Sequence, residues 1–424
     1  MSKAIPRIDP YSVRGWCPTG MRAMQTGDGL LIRLNPRGRS LSPDDLTAIA
    51  DVAERHGNGL IDLTRRANVQ LRGLTEPSLP VVWQELTRVG LLDVEPANIL
   101  VGPLTGIDPQ ELIDAGALAI ELQATIAGNP VLRALPAKFS FVVDGGSSLS
   151  LDDEPADVRL RALTVAGETA IALAIDRVDG PEYLGACAPN EAAAAGATLA
   201  ERYVELRPHA RARMRDLSDE AVQRLMAFSD GHLRKIDSTP AKSAHNRPLG
   251  PVHIDGKLVA AVGLTAAFGR LAAKDLRILA GLARETSISG FRVSPWRSLY
   301  AETADPSAAG DLTQQACSAG FLIDPDDPLL AIDACPGAPA CTSASVDTRT
   351  VADSLAPMLK ELGIRTCHVS GCSKGCARSA PADLTLVGAG GSLAVVHHGT
   401  TRSTPSRYVH PGDLATRPHL LDPA

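Results

Sequence analysis

Four cysteines near the carboxyl end of the chain form two short clusters. Five residues separate Cys335 from Cys341, and three separate Cys372 from Cys376, so these clusters hold half of the eight cysteines. Both clusters consist mainly of small residues and contain no carboxylate. Because small residues let the backbone fold tightly, thiolates from the two loops can converge on one inorganic centre. Four thiolates suit a [4Fe–4S] cluster or a structural zinc ion.

The spacing of the cysteines bears on the choice of metal. Zinc sites usually take cysteines two to four residues apart, because a small ion needs a tight loop. The gap of five between Cys335 and Cys341 fits zinc less well and favours the larger iron–sulfur cubane. Disulfides and buried free thiols are the alternatives without metal. Disulfides are disfavoured if the protein is cytoplasmic.

Composition limits the class of protein. A chain of 424 residues, 44% of them hydrophobic, predicts two or more domains with substantial cores. The net charge of −6 offers no general basic surface, so we expect no nucleic-acid partner. No apolar run approaches the roughly twenty residues that span a bilayer, and the first residues lack the apolar segment of a secretory signal. These features predict a cytoplasmic protein without a membrane segment.

The pattern of apolar residues predicts alternating strands and helices. A strand–helix–strand–strand unit is expected, with strands at 30–34, 60–63 and 68–71 and a helix that begins after Ser42. A second such unit has strands at 258–262 and 290–293 and a helix face at 276–283. Other predicted strands lie at 98–103 and 138–143, with a helix near 109–127. Residues 186–230 are predicted to be helical, with a basic, solvated face at Arg207, Arg211, Arg213 and Arg215.

The sequence contains segments that recur with a long period. Asp45-Leu46 matches Asp275-Leu276 at an offset of 230 positions, and residues 155–158 recur as residues 381–384 at an offset of 226. The second offset places Gly145-Gly146 opposite Gly371-Cys372. One module is therefore used twice, and only the second copy carries the cysteines. Such a duplication predicts two lobes about a pseudo-twofold axis with a cleft between them.

The cysteine spacing and the surrounding text, Val369-Ser-Gly-Cys372-Ser-Lys-Gly-Cys376, resemble the cluster signature of the sulfite and nitrite reductase family. The resemblance covers almost the whole chain. It implies an α+β fold with two ferredoxin-like half-domains and two α/β lobes about a pseudo-twofold axis. It also implies that the four cysteines hold a [4Fe–4S] cluster and that the last one bridges to the iron of sirohaem, where sirohaem is bound.

The same resemblance implies a division of the chain into seven parts. The expected parts are an N-terminal arm (1–28), half-domain 1 (29–90), lobe 1 (91–185), a helical linker (186–245), half-domain 2 (246–310), lobe 2 with the cluster (311–410) and a C-terminal tail (411–424).

Basic residues that grip the anion in the reductases can be matched one at a time. The first arginine falls on Arg66, the second on Ala97, and the two lysines on Lys138 and Ser140, so two of the four charges are lost. Reducing a small oxyanion by six electrons needs several positive donors around it. The remaining charge can still hold a large polycarboxylate. We therefore expect Arg66, Lys138 and Arg297 to bind a tetrapyrrole; ordinary surface salt bridges are the alternative role.

The family has an oxygen-dependent branch in aerobic cobalamin biosynthesis, and the opening of this chain resembles it, with Cys17-Pro18 and residues 26–29, Thr-Gly-Asp-Gly, before the first strand. Membership implies hydroxylation of precorrin-3A at C20 with O₂ and closure of a γ-lactone. It implies a mononuclear non-haem iron beside the cluster and NADH as an indirect electron source, through a separate reductase or ferredoxin. The alternatives are a sirohaem-dependent sulfite or nitrite reductase and a non-catalytic iron–sulfur electron carrier; a carrier needs no second lobe.

Ligands of a second iron and catalytic residues are not identified by the sequence. His253 and Asp255 have the spacing of part of a facial triad, but they precede a predicted turn. His397 and His398 are adjacent on a predicted strand and would point to opposite faces. Residues 388–391 lack the third glycine of a dinucleotide fingerprint and predict a hairpin turn, so NADH binding by this chain is not expected.

Overall fold

The computed structural model describes residues 7–11, 16–36, 40–92, 97–230, 233–236, 248–254 and 258–422. Half-domain 1 has the predicted strand–helix–strand–strand order. Its first helix begins where the sequence predicts, because Ser42 and Asp45 form a reciprocal capping box. Its elements are β1 (Met24–Thr26), β2 (Gly29–Leu34), α1 (Pro43–His56), β3 (Leu60–Leu63), β4 (Val69–Leu74) and α2 (Leu79–Arg88).

Lobe 1 is built on a five-stranded sheet whose first three strands are parallel and whose last two are antiparallel. Its last two helices share a core with its first helix and the sheet, so 192–230 packs as part of the lobe rather than as the expected linker. The predicted strand at 138–143 begins two residues later than expected. The elements are β5 (Asn98–Val101), α3 (Ala115–Gly128), β6 (Ser140–Asp144), β7 (Val158–Val165), β8 (Glu168–Arg177), β9 (Gly180–Cys187), α4 (Ala192–Leu206) and α5 (Asp219–Asp230).

Half-domain 2 repeats the plan of half-domain 1. The boundary expected at 310 falls inside its last helix, whose first turn is capped by Asp305 and whose apolar side joins the core of both half-domains. The elements are β10 (Gly250–Ile254), β11 (Leu258–Leu264), β12 (Arg270–Ala272), α6 (Ala273–Glu285), β13 (Phe291–Val293), β14 (Leu299–Glu302) and α7 (Pro306–Ser318).

Lobe 2 repeats the sheet of lobe 1, with three parallel strands followed by two antiparallel ones. The glycine-rich segment 388–391 is a hairpin turn, as predicted, in which Gly390 and Gly391 have positive φ. The elements are β15 (Ile332–Ala334), α8 (Thr348–Leu355), β16 (Cys367–Ser370), β17 (Ala382–Ala389), β18 (Ser392–Gly399) and β19 (Arg407–Val409).

The two half-domains exchange pairings about a pseudo-twofold axis. Leu271 of β12 pairs with Ile61 of β3, and Leu41 forms a bridge with Phe291 of β13. Leu41 corresponds to Leu271 and Ile61 to Phe291 at the predicted offset of 230, so the two contacts are one interaction made twice with the roles reversed. α1 and α6 pack against each other, and both half-domains share one hydrophobic core. The predicted pseudo-twofold architecture is confirmed.

The two lobes keep the predicted offset of 226 in their strand register. Phe141 pairs with Val158 in lobe 1, and Cys367 pairs with Leu384 in lobe 2. Equivalent aspartates also make the same hydrogen bond in both lobes. Asp157 accepts the N–H of Ser140 at 2.8 Å, and Asp383 accepts the N–H of Thr366 at 3.0 Å. The described residues contain no helix long and apolar enough to cross a membrane.

Candidate active site

The cysteines lie on two loops at one edge of the lobe 2 sheet. Cys335 directly follows β15, and Cys372 lies two residues after β16. These strands are parallel neighbours, so their carboxyl ends meet at the same edge. The N–H of Cys335 donates to the carbonyl of Val369 at 3.2 Å, which extends the ladder to the first cysteine. The sheet thus brings together two clusters that are about thirty residues apart in sequence.

The loops suit thiolate ligands. The N–H of Gly371 donates to Sγ of Cys335 at 3.2 Å, the kind of bond that tunes a cluster sulfur. Burial raises the pKa of Cys376 to about 11, and nearby Cys335, Cys372 and Cys341 add to the rise against the opposing charge of Lys374. Burial and the neighbouring thiols of Cys341 and Cys335 also raise the pKa of Cys372, and bound cations would stabilise both groups as thiolates. The donor set therefore fits an iron–sulfur cluster.

A single metal ion fits these side chains less well. The described residues contain no group of three or more His, Cys, Asp or Glu side chains that could hold one metal ion. A structural zinc site requires such close convergence, and a mononuclear iron requires a comparable ligand set. His253 is exposed on β10, and Asp255 lies outside the described residues. His397 and His398 are adjacent on β18, as predicted.

Half-domain 1 supports the first cysteine loop. The carbonyl of Ala340 accepts the N–H of Gly27 at 3.1 Å and Nη2 of Arg72 at 3.3 Å. Arg72 also forms a two-point ion pair with Asp28, at 2.7 and 2.8 Å. Gly27 has no room for a side chain, because a Cβ atom would lie 2.2 Å from the carbonyl oxygen of Pro339. The Thr-Gly-Asp-Gly segment therefore packs the first cysteine loop against the sheet.

The N-terminal arm supports the second cysteine loop. The backbone of Asp9 accepts the N–H of Ser373 at 3.0 Å and donates to the carbonyl of Gly388 at 2.9 Å. Its carboxylate accepts the N–H of Gly390 at 3.1 Å. Ser373 lies between Cys372 and Cys376, so the arm holds this loop in place.

A buried network of charges lies beneath the cysteine loops. Asp62 of β3 accepts hydrogen bonds from Arg270 at 2.8 Å, Arg349 at 3.2 Å and Arg72 at 3.4 Å. Burial alone would raise the pKa of Asp62, but the arginines, with Arg270 first, outweigh it and hold the pKa at about 2. Three arginines on one carboxylate leave a surplus of positive charge beside the thiol loops.

Arg33 of β2 adds to that positive charge. Its Nε donates to Oε1 of Gln70 at 3.0 Å. Burial lowers the pKa of Arg33, and the nearby thiols of Cys17 and Cys376 act in the opposite direction. The sequence did not identify Arg33, Asp62 or Arg72 as site residues. The available signal was the position of these polar residues on strands whose other face is apolar, because successive side chains of a strand point to opposite faces.

Two matching turns meet at the centre of the molecule. In one, Oγ1 of Thr64 accepts the N–H groups of Arg66 and Asn68; in the other, Oγ of Ser294 accepts those of Trp296 and Ser298. Each turn contains a residue with positive φ, and those residues also differ by 230 positions. The turns link β3 to β4 and β13 to β14, so the pseudo-twofold axis brings their side chains together.

The turns hold lobe 2 through arginines. Arg65 Nη1 at 3.4 Å and Arg297 Nη2 at 3.1 Å both donate to the carbonyl of Ala377, the residue after Cys376. Arg297 also pairs with Asp333 through Nη1 at 3.1 Å. Arg297 therefore holds the loop that positions Cys376, and among the described residues only its Nε lacks a hydrogen-bond acceptor. Its assignment to tetrapyrrole binding stays a prediction.

The same turns reach lobe 1. Arg66 Nη1 donates to the carbonyl of Pro155 at 2.7 Å, and Trp296 Nε1 donates to Glu154 at 3.1 Å. Lys138 is exposed in the turn before β6, and no hydrogen bond or ion pair in the described structure connects it to Arg66. A Lys-Phe-Ser strand would have projected Lys138 from the sheet. Because the strand begins at Ser140 instead, its substrate role stays a prediction without a supporting contact.

A buried histidine lies near the arginine contacts of lobe 2. His368 of β16 is fully buried, and both ring nitrogens lack a hydrogen-bond partner in the described structure. Burial lowers its pKa to about 4; Arg378 and Arg297 act in the same direction, and Asp333 opposes them. The imidazole is therefore neutral near pH 7.

Comparison with known proteins agrees with this architecture. Residues 22–89 match the model of the nitrite/sulfite reductase ferredoxin-like half domain. A precorrin-3B synthase from Sinorhizobium sp is 34% identical, over 93% of this chain and 85% of the relative. The chain belongs to the precorrin-3B synthase family. It is accordingly an oxidoreductase, in the wider superfamily of sulfite and nitrite reductases, as the sequence predicted.

More distant relatives of this precorrin-3B synthase family member are reductases. An assimilatory ferredoxin-dependent nitrite reductase from Haloferax mediterranei is 25% identical, over 84% of this chain and 70% of its own length. The structure of the Mycobacterium tuberculosis NirA protein matches with a TM-score of 0.75 and 20% identity, over 91% of this chain and 79% of that one. The structural match confirms the sulfite and nitrite reductase fold.

Proposed function

We propose that the protein catalyses the O₂-dependent hydroxylation of precorrin-3A at C20, with closure of a γ-lactone onto C1 by an acetate side chain. The similarity to a precorrin-3B synthase along 93% of the chain carries this proposal. The loss of two basic positions, at Ala97 and Ser140, supports it over reduction of a small oxyanion, which needs more positive donors. The cysteine loops and the paired central turns supply a redox site next to a basic one.

The reaction consumes two electrons from a donor outside the substrate. One atom of O₂ enters the product as the hydroxyl oxygen, and the other leaves as water with two protons and two electrons. NADH is the ultimate reductant in the proposal, and a separate reductase or ferredoxin passes the electrons on. Lactone closure adds a carboxyl oxygen to C1 as a double bond at C1 becomes single, and the carboxyl proton passes to the other side of that addition, so the step needs no further oxidant.

The four cysteines would hold a [4Fe–4S] cluster, which supplies single electrons when bound. The protein's own residues have three roles in the proposal. Arg65 and Arg297 fix the loop of Cys376, Arg66 holds the macrocycle by a carboxylate, and the packed turns exclude water. A mononuclear iron has no ligand set among the described residues, so no step is assigned to it.

The direct test is conversion of precorrin-3A by anaerobically purified protein, supplied with an electron donor and then with ¹⁸O₂. The expected product carries one ¹⁸O atom at the new hydroxyl group, as seen by mass spectrometry. Parallel assays with nitrite and sulfite, and an absorption spectrum for sirohaem, test the alternative. Sirohaem bands with reduction of either anion, and no change in precorrin-3A, would assign the protein to the reductases.

A further inference from the structure

Two arginines from distant parts of the chain converge on one segment of lobe 1, residues 155–157. Arg66 donates to the carbonyl of Pro155 at 2.7 Å. Arg213 lies on the loop between α4 and α5, and its Nε donates to the carboxylate oxygens of Asp157 at 2.9 and 3.0 Å. Pro155 and Asp157 are two residues apart, so the fold places a second guanidinium group beside the first.

The acceptors at this place are already occupied. Asp157 accepts the N–H of Ser140 at 2.8 Å and that of Met214 at 3.0 Å, besides the bonds from Nε and Nη2 of Arg213. A carboxylate has about four lone-pair sites, so Asp157 has no capacity left for Arg66. Among the described residues, Nε and Nη2 of Arg66 and Nη1 of Arg213 have no acceptor.

The charge of Arg66 is not balanced by an ion pair in the described structure. Burial lowers its pKa, and the positive charge of Arg213 lowers it further, while Glu154 and Asp157 act in the opposite direction. Counting Arg65, Arg66 and Arg213 against Glu154 and Asp157 leaves one positive charge. The positive charges around Arg66 favour binding of an anion.

A third polar group without a partner lies in the same place. Oγ of Ser140 is buried and has no hydrogen-bond partner among the residues that the structure describes. Its backbone is joined to Asp157, and its side chain lies on the same face of β6 as Val142, which packs into the core of the half-domains. Ser140 is thus on the inner face of lobe 1, toward the turn that carries Arg66.

We propose that Arg66 and Arg213 together bind one carboxylate of the tetrapyrrole, an acetate or propionate side chain at the edge of the ring. This inference rests on the proposed function and adds Arg213 to its site. Arg66 contributes the uncompensated charge. Arg213, fixed in place by Asp157, contributes a rigid second donor, and a carboxylate can accept from both guanidinium groups.

Binding of uroporphyrin III, a tetrapyrrole with acetate and propionate side chains, tests the inference without turnover. The measurement is quenching of its fluorescence by the full-length protein. The variants are Arg66→Gln, Arg213→Gln and the double variant. Arg211→Gln is the matched control, because Arg211 is exposed two residues away on the same loop and its side chain forms no hydrogen bond in the described structure.

Each single variant is expected to weaken binding by about 10- to 100-fold, the usual effect of losing a hydrogen bond to a charged group. The double variant should lose less than the product of the two single effects, because both arginines bind the same carboxylate. Arg211→Gln should bind like the wild type.

Arg213→Gln leaves Asp157 without its ion pair and could unfold the lobe. Arg66→Gln is therefore the decisive variant, because among the described residues the Arg66 side chain donates only to a backbone carbonyl. If Arg66→Gln has the wild-type circular dichroism spectrum and binds uroporphyrin III with wild-type affinity, the inference is wrong. A folded Arg213→Gln variant that matches Arg211→Gln also contradicts it. The first result would also remove the carboxylate role of Arg66 from the proposed function, but neither result bears on the proposed reaction, which fails only if the wild type does not hydroxylate precorrin-3A.

Discussion

The two lobes share topology and strand register, but they differ at a few strand positions. Leu100 and Val142 are paired on the inner face of lobe 1, and both belong to the apolar core of the half-domains. The corresponding pair in lobe 2 is Asp333 and His368, which face Arg297 and Arg378. The same pair of strand positions is thus apolar in lobe 1 and polar or charged in lobe 2, and lobe 2 carries the thiols.

The loops after the second strand show how the copies diverged. Gly145-Gly146 and Gly371-Cys372 occupy equivalent positions, and neither Gly145 nor Gly371 has room for a side chain. Gly146 has a φ of 83°, whereas Cys372 is not among the residues with positive φ. The backbone conformations of the two lobes therefore differ at the position that is Gly146 in lobe 1 and Cys372 in lobe 2. For this reason, adding a cysteine to lobe 1 would not by itself create a second cluster site.

The half-domains differ in a related way. Asp62 and Arg72 form a cross-strand ion pair in half-domain 1, and Arg292 and Glu302 form one at the same positions in half-domain 2. The offset of 230 holds for both residues, but the charges are exchanged. Within the described residues, Asp62 of the first pair has two further arginine partners, Arg270 and Arg349. The geometry of the pair comes from the duplicated sheet, and its surroundings determine its role.

The largest expected effect comes from removing a thiol of lobe 2. Cys372→Ser should abolish cluster assembly and lower activity by more than about 100-fold, because loss of a ligand should exceed the 10- to 100-fold effect of changing an outer-shell residue. Iron and sulfide content and absorbance near about 400 nm check this. Cys317→Ser is the control, since Cys317 is exposed on α7. A Cys372→Ser protein with full iron–sulfur absorbance would contradict the cluster assignment.

The exchanged ion pairs can be compared by neutralising one acid in each. Asp62→Asn should lower the free energy of unfolding by about 3–5 kcal/mol, because three arginines lose their shared carboxylate in a buried place. Glu302→Gln should cost less, about 1–3 kcal/mol, since Arg292 is the only cationic partner of Glu302 among the described residues. Urea denaturation measures both. Equal losses would show that the extra arginines do not depend on Asp62.

Replacing His368 by the residue at its position in lobe 1 tests the polar inner face. Burial lowers the pKa of His368 in the folded protein to about 4, from an ordinary value of 6.5. A depressed pKa contributes stability above pH 6.5 that is lost as pH falls toward 4, by roughly 2 kcal/mol at pH 5.

His368→Val should therefore remove that part of the acid sensitivity. The measurement is the urea midpoint at pH 7.5 and at pH 5, where the wild type should lose more stability than the variant. An equal loss in both proteins would mean that His368 does not carry the difference.

The smallest expected effect concerns the close approach of the cysteine loops. A Cβ atom at position 371 would lie 2.5 Å from Cβ of Ala344. Gly371→Ala should cost about 1–3 kcal/mol by overpacking. It should also lower cluster content, because the shift that relieves the clash moves the backbone N–H of residue 371 away from Sγ of Cys335. Gly281→Ala on α6 is the control, since no atom lies within 4 Å of its Cβ position. Unchanged stability and iron content in Gly371→Ala would contradict the packing argument.

Local and periodic signals made much of this protein readable from its sequence. The capping box at Ser42, the paired offsets of 230 and 226, and the hairpin at 388–391 depend on neighbouring residues or on direct repetition. Such features can be recognised from the order of residues alone. The four cysteines are equally visible, because their spacing reflects the tight loops that follow two parallel strands.

Tertiary structure alone decided which charged residues meet. Arg213 stood in a basic stretch that predicted a solvated helix face, but the chain leaves the helix there and turns Arg213 onto Asp157. The sequence predicted that Arg297 binds a tetrapyrrole, and in the fold its side chain also pairs with Asp333 and donates to the carbonyl of Ala377. A guanidinium group gains its partner from residues far away in sequence, and burial determines its charge balance. Spacing and composition therefore located the cysteines, while only packing assigned the arginines.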